Sequence, residues 1–234
     1  MWTSTADRAA AGREKETMKI GIIGSGNIGQ ALGRLWAKKG HKIYYSFSHD
    51  KSNLENLARE SGNDSQPSTP YDAVRCAEIV LFSPPWTEVD EAIKQVGRFE
   101  GQVVIDTTNP FVNDQMNVQE FDEGDSSSQC IQRKLGDAKV IKAFNTLKAQ
   151  TLQSKSGTGL VVFVAGDDAV AKATVCELVE DAGFAPYDAG TLVEGKNQEP
   201  GTDRFLKELT REQVDAPRAT TGEIDLDQPI RKYS

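Results

Sequence analysis

Along the chain, short unbroken apolar runs alternate with segments whose apolar residues recur every three or four positions. The runs KIGIIG (19–24), HKIYYSF (41–47), EIVLFS (78–83), QVVIDTT (102–108), KVIKAFN (139–145) and GLVVFVAG (159–166) read as buried strands. FAPYDAG (184–190) is a candidate seventh. Between the first two runs, Ile28, Ala31, Leu32, Leu35 and Trp36 share one helical face, and Gly40 is placed to end that helix. Ser52 and Glu55 form a capping-box pattern before NLENLARE. A further helix is expected from about residue 86 to 97. Another over 168–182 has Ala171, Val175, Leu178, Val179 and Ala182 on one side and Asp167 and Asp168 at its start, where the helix dipole favours negative charge.

Near-continuous apolar strands separated by helices predict an α/β fold: a doubly wound, mainly parallel sheet with helices on both faces. Two stretches break the rhythm. Residues 113–129 are polar and acidic and read as a surface loop, and 211–234 show no period. The expected organisation is a disordered extension (1–17), a nucleotide-binding domain (18–192) and a C-terminal segment and tail (193–234).

Gly24-x-Gly26-x-x-Gly29 lies between the first strand and the first helix. In a Rossmann unit the first glycine allows the tight turn, the second lets backbone approach a pyrophosphate, and the third lets helix and strand pack closely. The helix N-terminus then offers unpaired N–H groups to phosphate. The candidate contacts are Gly24, Ser25, Gly26, Asn27, Ile28 and Gly29. The end of the second strand selects the dinucleotide. An NAD site carries a carboxylate there for the ribose 2′-hydroxyl. Here the chain reads YYSFSHDKS, with Ser46, Ser48, His49 and Lys51 around Asp50. Hydroxyls and positive charge suit a 2′-phosphate, so NADP(H) is the expected cofactor.

Ligands of open α/β sheets sit outside the carboxyl ends of the strands. Those ends read SPPW, DTTNPF, KAFNT and AGDD. Ser83 and Pro84 would form a wall near the nicotinamide ribose, and Pro84 and Pro110 would stiffen the crevice. Asn109 and Asn145, beside Pro110 and Ala143, either hydrogen-bond the carboxamide or ribose or tie the loops together.

The formal charge is −8 and no Lys/Arg-rich stripe is present, which argues against nucleic-acid binding. The three cysteines, Cys76, Cys130 and Cys176, have no metal-like spacing and suit a reduced compartment. No run is long enough to span a membrane, and residues 1–17 lack a signal peptide's apolar centre. A cytoplasmic protein is expected. His41 follows the helix stop and reads as structural. No Ser/His/Asp set, carboxylate pair or metal cluster stands out.

Taken together, KIGIIGSGNIGQALG, SPPW, IDTTNPF, KAFNT, FVAGDD and DAGTL resemble the NADPH-dependent reductases of the deazaflavin coenzyme. They are similar, more widely, to the nucleotide-binding domain of membrane ferric reductases and to the Rossmann domain of pyrroline-5-carboxylate reductase. The resemblance spans about 18–192. It implies hydride transfer between NADP(H) and a flavin or deazaflavin ring by a homodimer, with the protein aligning two rings. The chain departs from the pattern at Thr191, where the family has proline, and in the charged segment VEGKNQEPGTDRFLKELT (193–210). That departure motivates a second reading, an NADP(H)-binding regulatory protein without turnover. A β-hydroxyacid dehydrogenase would need a long helical second domain, for which the sequence after about residue 190 has no pattern. If Lys51 faces the 2′-phosphate, Lys51→Glu should weaken NADPH binding by about tenfold and leave NADH nearly unchanged in titration calorimetry; equal losses would move that contact elsewhere.

Overall fold

The structure, a computed structural model, describes residues 17–48, 51–113, 115–122 and 125–216, with the backbone alone at residue 51. Eight strands form one sheet in the order β3-β2-β1-β4-β5-β6-β7-β8. They are β1 (Lys19–Ile23), β2 (Lys42–Ser46), β3 (Gln66–Pro67), β4 (Ile79–Phe82), β5 (Val103–Asp106), β6 (Lys139–Lys142), β7 (Val161–Gly166) and β8 (Ala185–Asp188). The helices are α1 (Asn27–Lys38), α2 (Lys51–Ser61), α3 (Pro70–Cys76), α4 (Val89–Val96), α5 (Ser127–Leu135), α6 (Ala149–Ser154), α7 (Ala169–Asp181) and α8 (Arg211–Asp215). Short 3₁₀ turns occupy Trp86–Glu88 and Val193–Gln198.

The fold follows from strand alternation. Successive side chains of a strand point to opposite faces. Ile20 and Ile22 join one core with Leu32 and Trp36 of α1 and Val175, Leu178 and Val179 of α7. Ile23 joins the other with Ala73 and Val74 of α3, Val89 and Ala92 of α4, and Ile131 of α5. The sheet is therefore covered on both faces, as its apolar runs require. Trp36 spans α1 and α7: its indole Nε1 donates to the Leu178 carbonyl at 2.8 Å, and its ring meets Phe144 edge-on. His41 is structural. It is 1% exposed, its Nδ1 accepts from the Met18 N–H at 3.1 Å, and its Nε2 faces Asp181 at 3.0 Å.

Several expectations change. β7 runs antiparallel to β6, with Ile141 opposite Gly166 and Lys142 opposite Ala165. β8 then pairs parallel to β7. This reversal carries AGDD to the other end of the sheet, where Asp168 pairs with Lys139 at the start of β6. It is not a crevice element. Ser52 lies inside α2 rather than capping it. The polar run 113–129 is not all loop, because α5 starts at Ser127 with Ser126 as its cap. The C-terminal segment is seated on the sheet. Val161 N–H bonds the Leu209 carbonyl, Leu206 N–H bonds the Thr146 carbonyl, and a Cβ on Gly195 would touch the Lys142 side chain. Among the described residues no helix is long and apolar enough to cross a membrane. Residues 1–16 and the tail from 217 lie outside the described residues.

Gly29 is where α1 meets β1. A Cβ there would lie 2.2 Å from the Gly24 carbonyl oxygen and 3.0 Å from Ile22 Cγ2. Gly29→Ala should therefore cost about 1–3 kcal/mol. The check is urea unfolding, with a lower midpoint at unchanged slope.

Candidate functional site

The glycine turn is stapled to the end of β2. Gly24 N–H donates to the Ser46 carbonyl, Ser25 N–H to the Phe47 carbonyl, and the Ser25 hydroxyl to the Ser46 carbonyl at 2.8 Å. Gly24 has φ +102°, a left-handed conformation open to glycine, and a Cβ on it would strike Ser83 at 2.4 Å. Gly26 is the N-cap of α1. No side chain caps that helix, and its first turn holds no acid. A Cβ on Gly26 would meet nothing within 4 Å. A helix N-terminus without a side-chain cap leaves backbone N–H groups available to an anion.

That N-terminus opens onto a cleft of about 1060 Å³. The β1–α1 turn, Phe47 and Ser48 after β2, and Asn53 of α2 line one part. Ser83–Glu88 after β4, with Glu91 and Gln95 of α4, line another. Thr107, Thr108 and Asn109 after β5, then Phe111 and Asn113, complete it. Trp86 is held by the loop that follows: its Nε1 donates to Gln119 Oε1 at 2.8 Å, and its ring meets Phe121 edge-on. Phe111 bridges to Val118 and packs against Phe205 of the C-terminal segment.

The expected site residues separate in space. Gly24, Ser25, Gly26, Asn27, Ile28, Ser48, Ser83, Pro84 and Asn109 line the cleft. Gly29 acts by packing behind it. Ser46 does not face the cleft. It is fully buried, and its hydroxyl donates to the Ile22 carbonyl at 2.8 Å. Pro110 and Ala143 are also buried outside the lining. Asn145 ties loops: its amide donates to Asn109 Oδ1 at 3.0 Å and to the Gln198 carbonyl at 2.7 Å. Asn109 returns a bond to the Asn145 carbonyl. His49 and the Lys51 side chain lie outside the described residues. The sequence reading missed Phe47, Trp86, Thr107, Thr108 and Phe111 as lining residues. For Trp86, Thr107, Thr108 and Phe111 the signal is present, since SPPW and DTTNPF read as strand ends.

Behind Thr108 lies a buried ionic cluster centred on Asp106 and Lys142, the first residues of DTTNPF and KAFNT. Lys142 and Asp106 face each other at the ends of β6 and β5, both with side chains 0% exposed. The ammonium donates to Asp106 Oδ2 at 3.3 Å, the Thr108 carbonyl at 3.1 Å and Ser127 Oγ at 3.0 Å. Asp106 Oδ1 accepts from both the N–H and the hydroxyl of Thr108, and Oδ2 from the Ser128 hydroxyl. Glu199 accepts the N–H and hydroxyl of Ser127 at 2.9 and 2.6 Å. Both carboxylates thus sit at the positive end of α5.

Comparisons with known proteins agree with this architecture. Residues 19–110 match the family described as NADP oxidoreductase, coenzyme F420-dependent. Rat metalloreductase STEAP3 is 24% identical over 202 residues, covering 86% of this chain. The chain spans only 40% of that relative's length. A hypothetical protein from Sinorhizobium meliloti superposes with a TM-score of 0.74 at 29% identity, covering 85% of this chain and 97% of the other. A protein from Arthrobacter sp. FB24, designated an F420-dependent NADP-reductase, gives 0.67 at 24% identity, over 77% and 88%. The family match is confined to residues 19–110, the part of the chain that holds the glycine turn and the strands β1 to β5.

Proposed function

We propose that this chain binds NADP(H) at the glycine turn and passes hydride between the nicotinamide and a planar flavin-like or deazaflavin acceptor. The observation that carries the reading is the uncapped N-terminus of α1, facing the cleft with open space at Gly26. The cradle fits a pyrophosphate: the amides of the first turn would hold it, and no carboxylate in that turn opposes it. When bound, the nicotinamide supplies or takes the hydride. The chain's part is to orient and to exclude water. Ser48 and Asn53 border the sugar side, Ser83 and Pro84 form one wall, and Thr107–Asn109 form the other. Trp86 and Phe111 give apolar surface for a second ring. Transfer between two stacked rings requires alignment above all, which suits a site built from backbone amides, hydroxyls and aromatic surface.

The family match over 19–110 and the description of the Arthrobacter protein favour NADP and a deazaflavin partner. The regulatory reading drew on a polar C-terminal segment. That segment packs against β6 and β7 and sends Phe205 to Phe111 at the cleft, which favours a site completed rather than lost. A homodimer in the cytoplasm belongs to the same proposal.

Gly26→Asp should fold normally, because its side chain enters open space, yet lose NADPH affinity by about 100-fold or more. Titration calorimetry beside circular dichroism checks this, and unchanged affinity would remove the cofactor from this turn. Two serines separate sugar-side contacts from core contacts. Ser46→Ala should lower stability by about 1 kcal/mol and leave the NADPH/NADH preference intact. Ser48→Ala should narrow that preference with little change in unfolding midpoint.

A further inference from the structure

The cleft wall at Thr107–Asn109 is not held by the sheet alone. Asp106 closes a turn on Thr108 through both the N–H and the hydroxyl, at 2.9 and 2.7 Å. Lys142 takes the Thr108 carbonyl. Every backbone polar group of Thr108 is therefore committed to the buried pair. Its hydroxyl proton is committed as well, so toward a ligand that oxygen can act only as an acceptor. The pair continues outward: Lys142 donates to the Ser127 hydroxyl, which donates to Glu199. Glu199 belongs to the C-terminal segment, 72 positions further along the chain than Ser127. The same segment supplies the Gln198 carbonyl to Asn145, which holds Asn109. Both ends of the wall thus depend on residues 198–199.

We infer that Lys142, Asp106 and Glu199 are positioning residues. They fix the Thr107–Asn109 wall against the nicotinamide half of the cleft, and through Glu199 they make the seated C-terminal segment a working part of the site. The inference rests on the hydride-transfer reading for its catalytic meaning. None of the three side chains lines the cleft, so each acts through Thr108, Asn109 or the segment. The arrangement holds two carboxylates against one ammonium and the start of α5. Charge on each is matched locally, and loss of one member leaves the others buried without a partner.

The test uses the full chain with Glu199→Ala, Glu199→Gln and Ser127→Ala. Glutamine keeps an oxygen for the Ser127 N–H and hydroxyl; alanine does not. Ser127→Ala deletes only the hydroxyl between Lys142 and Glu199 and serves if Glu199→Ala does not fold. Amide hydrogen exchange by mass spectrometry is followed over 103–112 and over β1 and β2. The expected result is exchange faster by about tenfold at 106–109 in the alanine variants, with β1 and β2 unchanged and Glu199→Gln close to the parent. With a deazaflavin acceptor, kcat should fall by about tenfold while the calorimetric Kd for NADPH moves by less than about threefold. Unchanged exchange at 106–109 in a folded alanine variant overturns the inference, as does a uniform rise across the whole sheet. Local exchange changes in a protein that turns over no acceptor would support the positioning network while refuting the hydride-transfer reading.

Discussion

One buried ammonium ties the ends of β5 and β6 to the start of α5. Lys142 lies opposite Asp106 in the β5–β6 register, both side chains shut off from solvent, and all three of its protons have acceptors. A charge so placed is tolerated only if its surroundings are complete. Completing them calls for a turn after β5, a helix starting with serines, and a glutamate brought back from beyond β8. The end of β5, the start of α5 and the path of the C-terminal segment are parts of one electrostatic solution. Because that solution lies directly beneath Thr108, the shape of the cleft is tied to it.

What could be read from the sequence followed what the sequence encodes locally. β1, the glycine turn and α1 were legible because a buried apolar run, a fixed glycine spacing and a 3.6-residue period each have a single structural meaning. So was the face of α7 with its Asp168 cap. Direction is not legible: a strand running up or down has the same apolar pattern, so the pattern alone puts AGDD among the crevice elements. Nor is α5, since Ser126, Ser127 and Ser128 look like loop composition. Ser126 caps the helix locally, whereas the buried hydroxyls of Ser127 and Ser128 bond Glu199 and Asp106, far away in sequence.

Ser46 shows the same limit at a finer scale. Serines near the end of β2 suggest a phosphate contact, and strand alternation alone would put Ser46 and Ser48 on the same face. Ser48 reaches the cleft; Ser46 does not, its carbonyl accepting from the glycine turn and its hydroxyl donating to the Ile22 carbonyl of β1. It shapes the anion cradle from below without touching what the cradle holds. Phe47, between them, takes φ +52°, a conformation uncommon outside glycine, and that local twist lets the chain leave the sheet and border the cleft.

The sheet is also protected at its two margins, β3 and β8. An open sheet offers unpaired backbone groups along its outer strands, and these can template pairing with other chains. Here one margin is β3, two residues long and ending in Pro67. The other is β8, where Pro186 has no N–H to offer and its carbonyl is taken by Arg211 at 2.7 Å. The Arg211 guanidinium also covers the Tyr187 ring. Both margins are therefore closed by proline, and the second by the start of α8 as well. Among the described residues, neither margin therefore presents a long strand with its backbone groups free to pair.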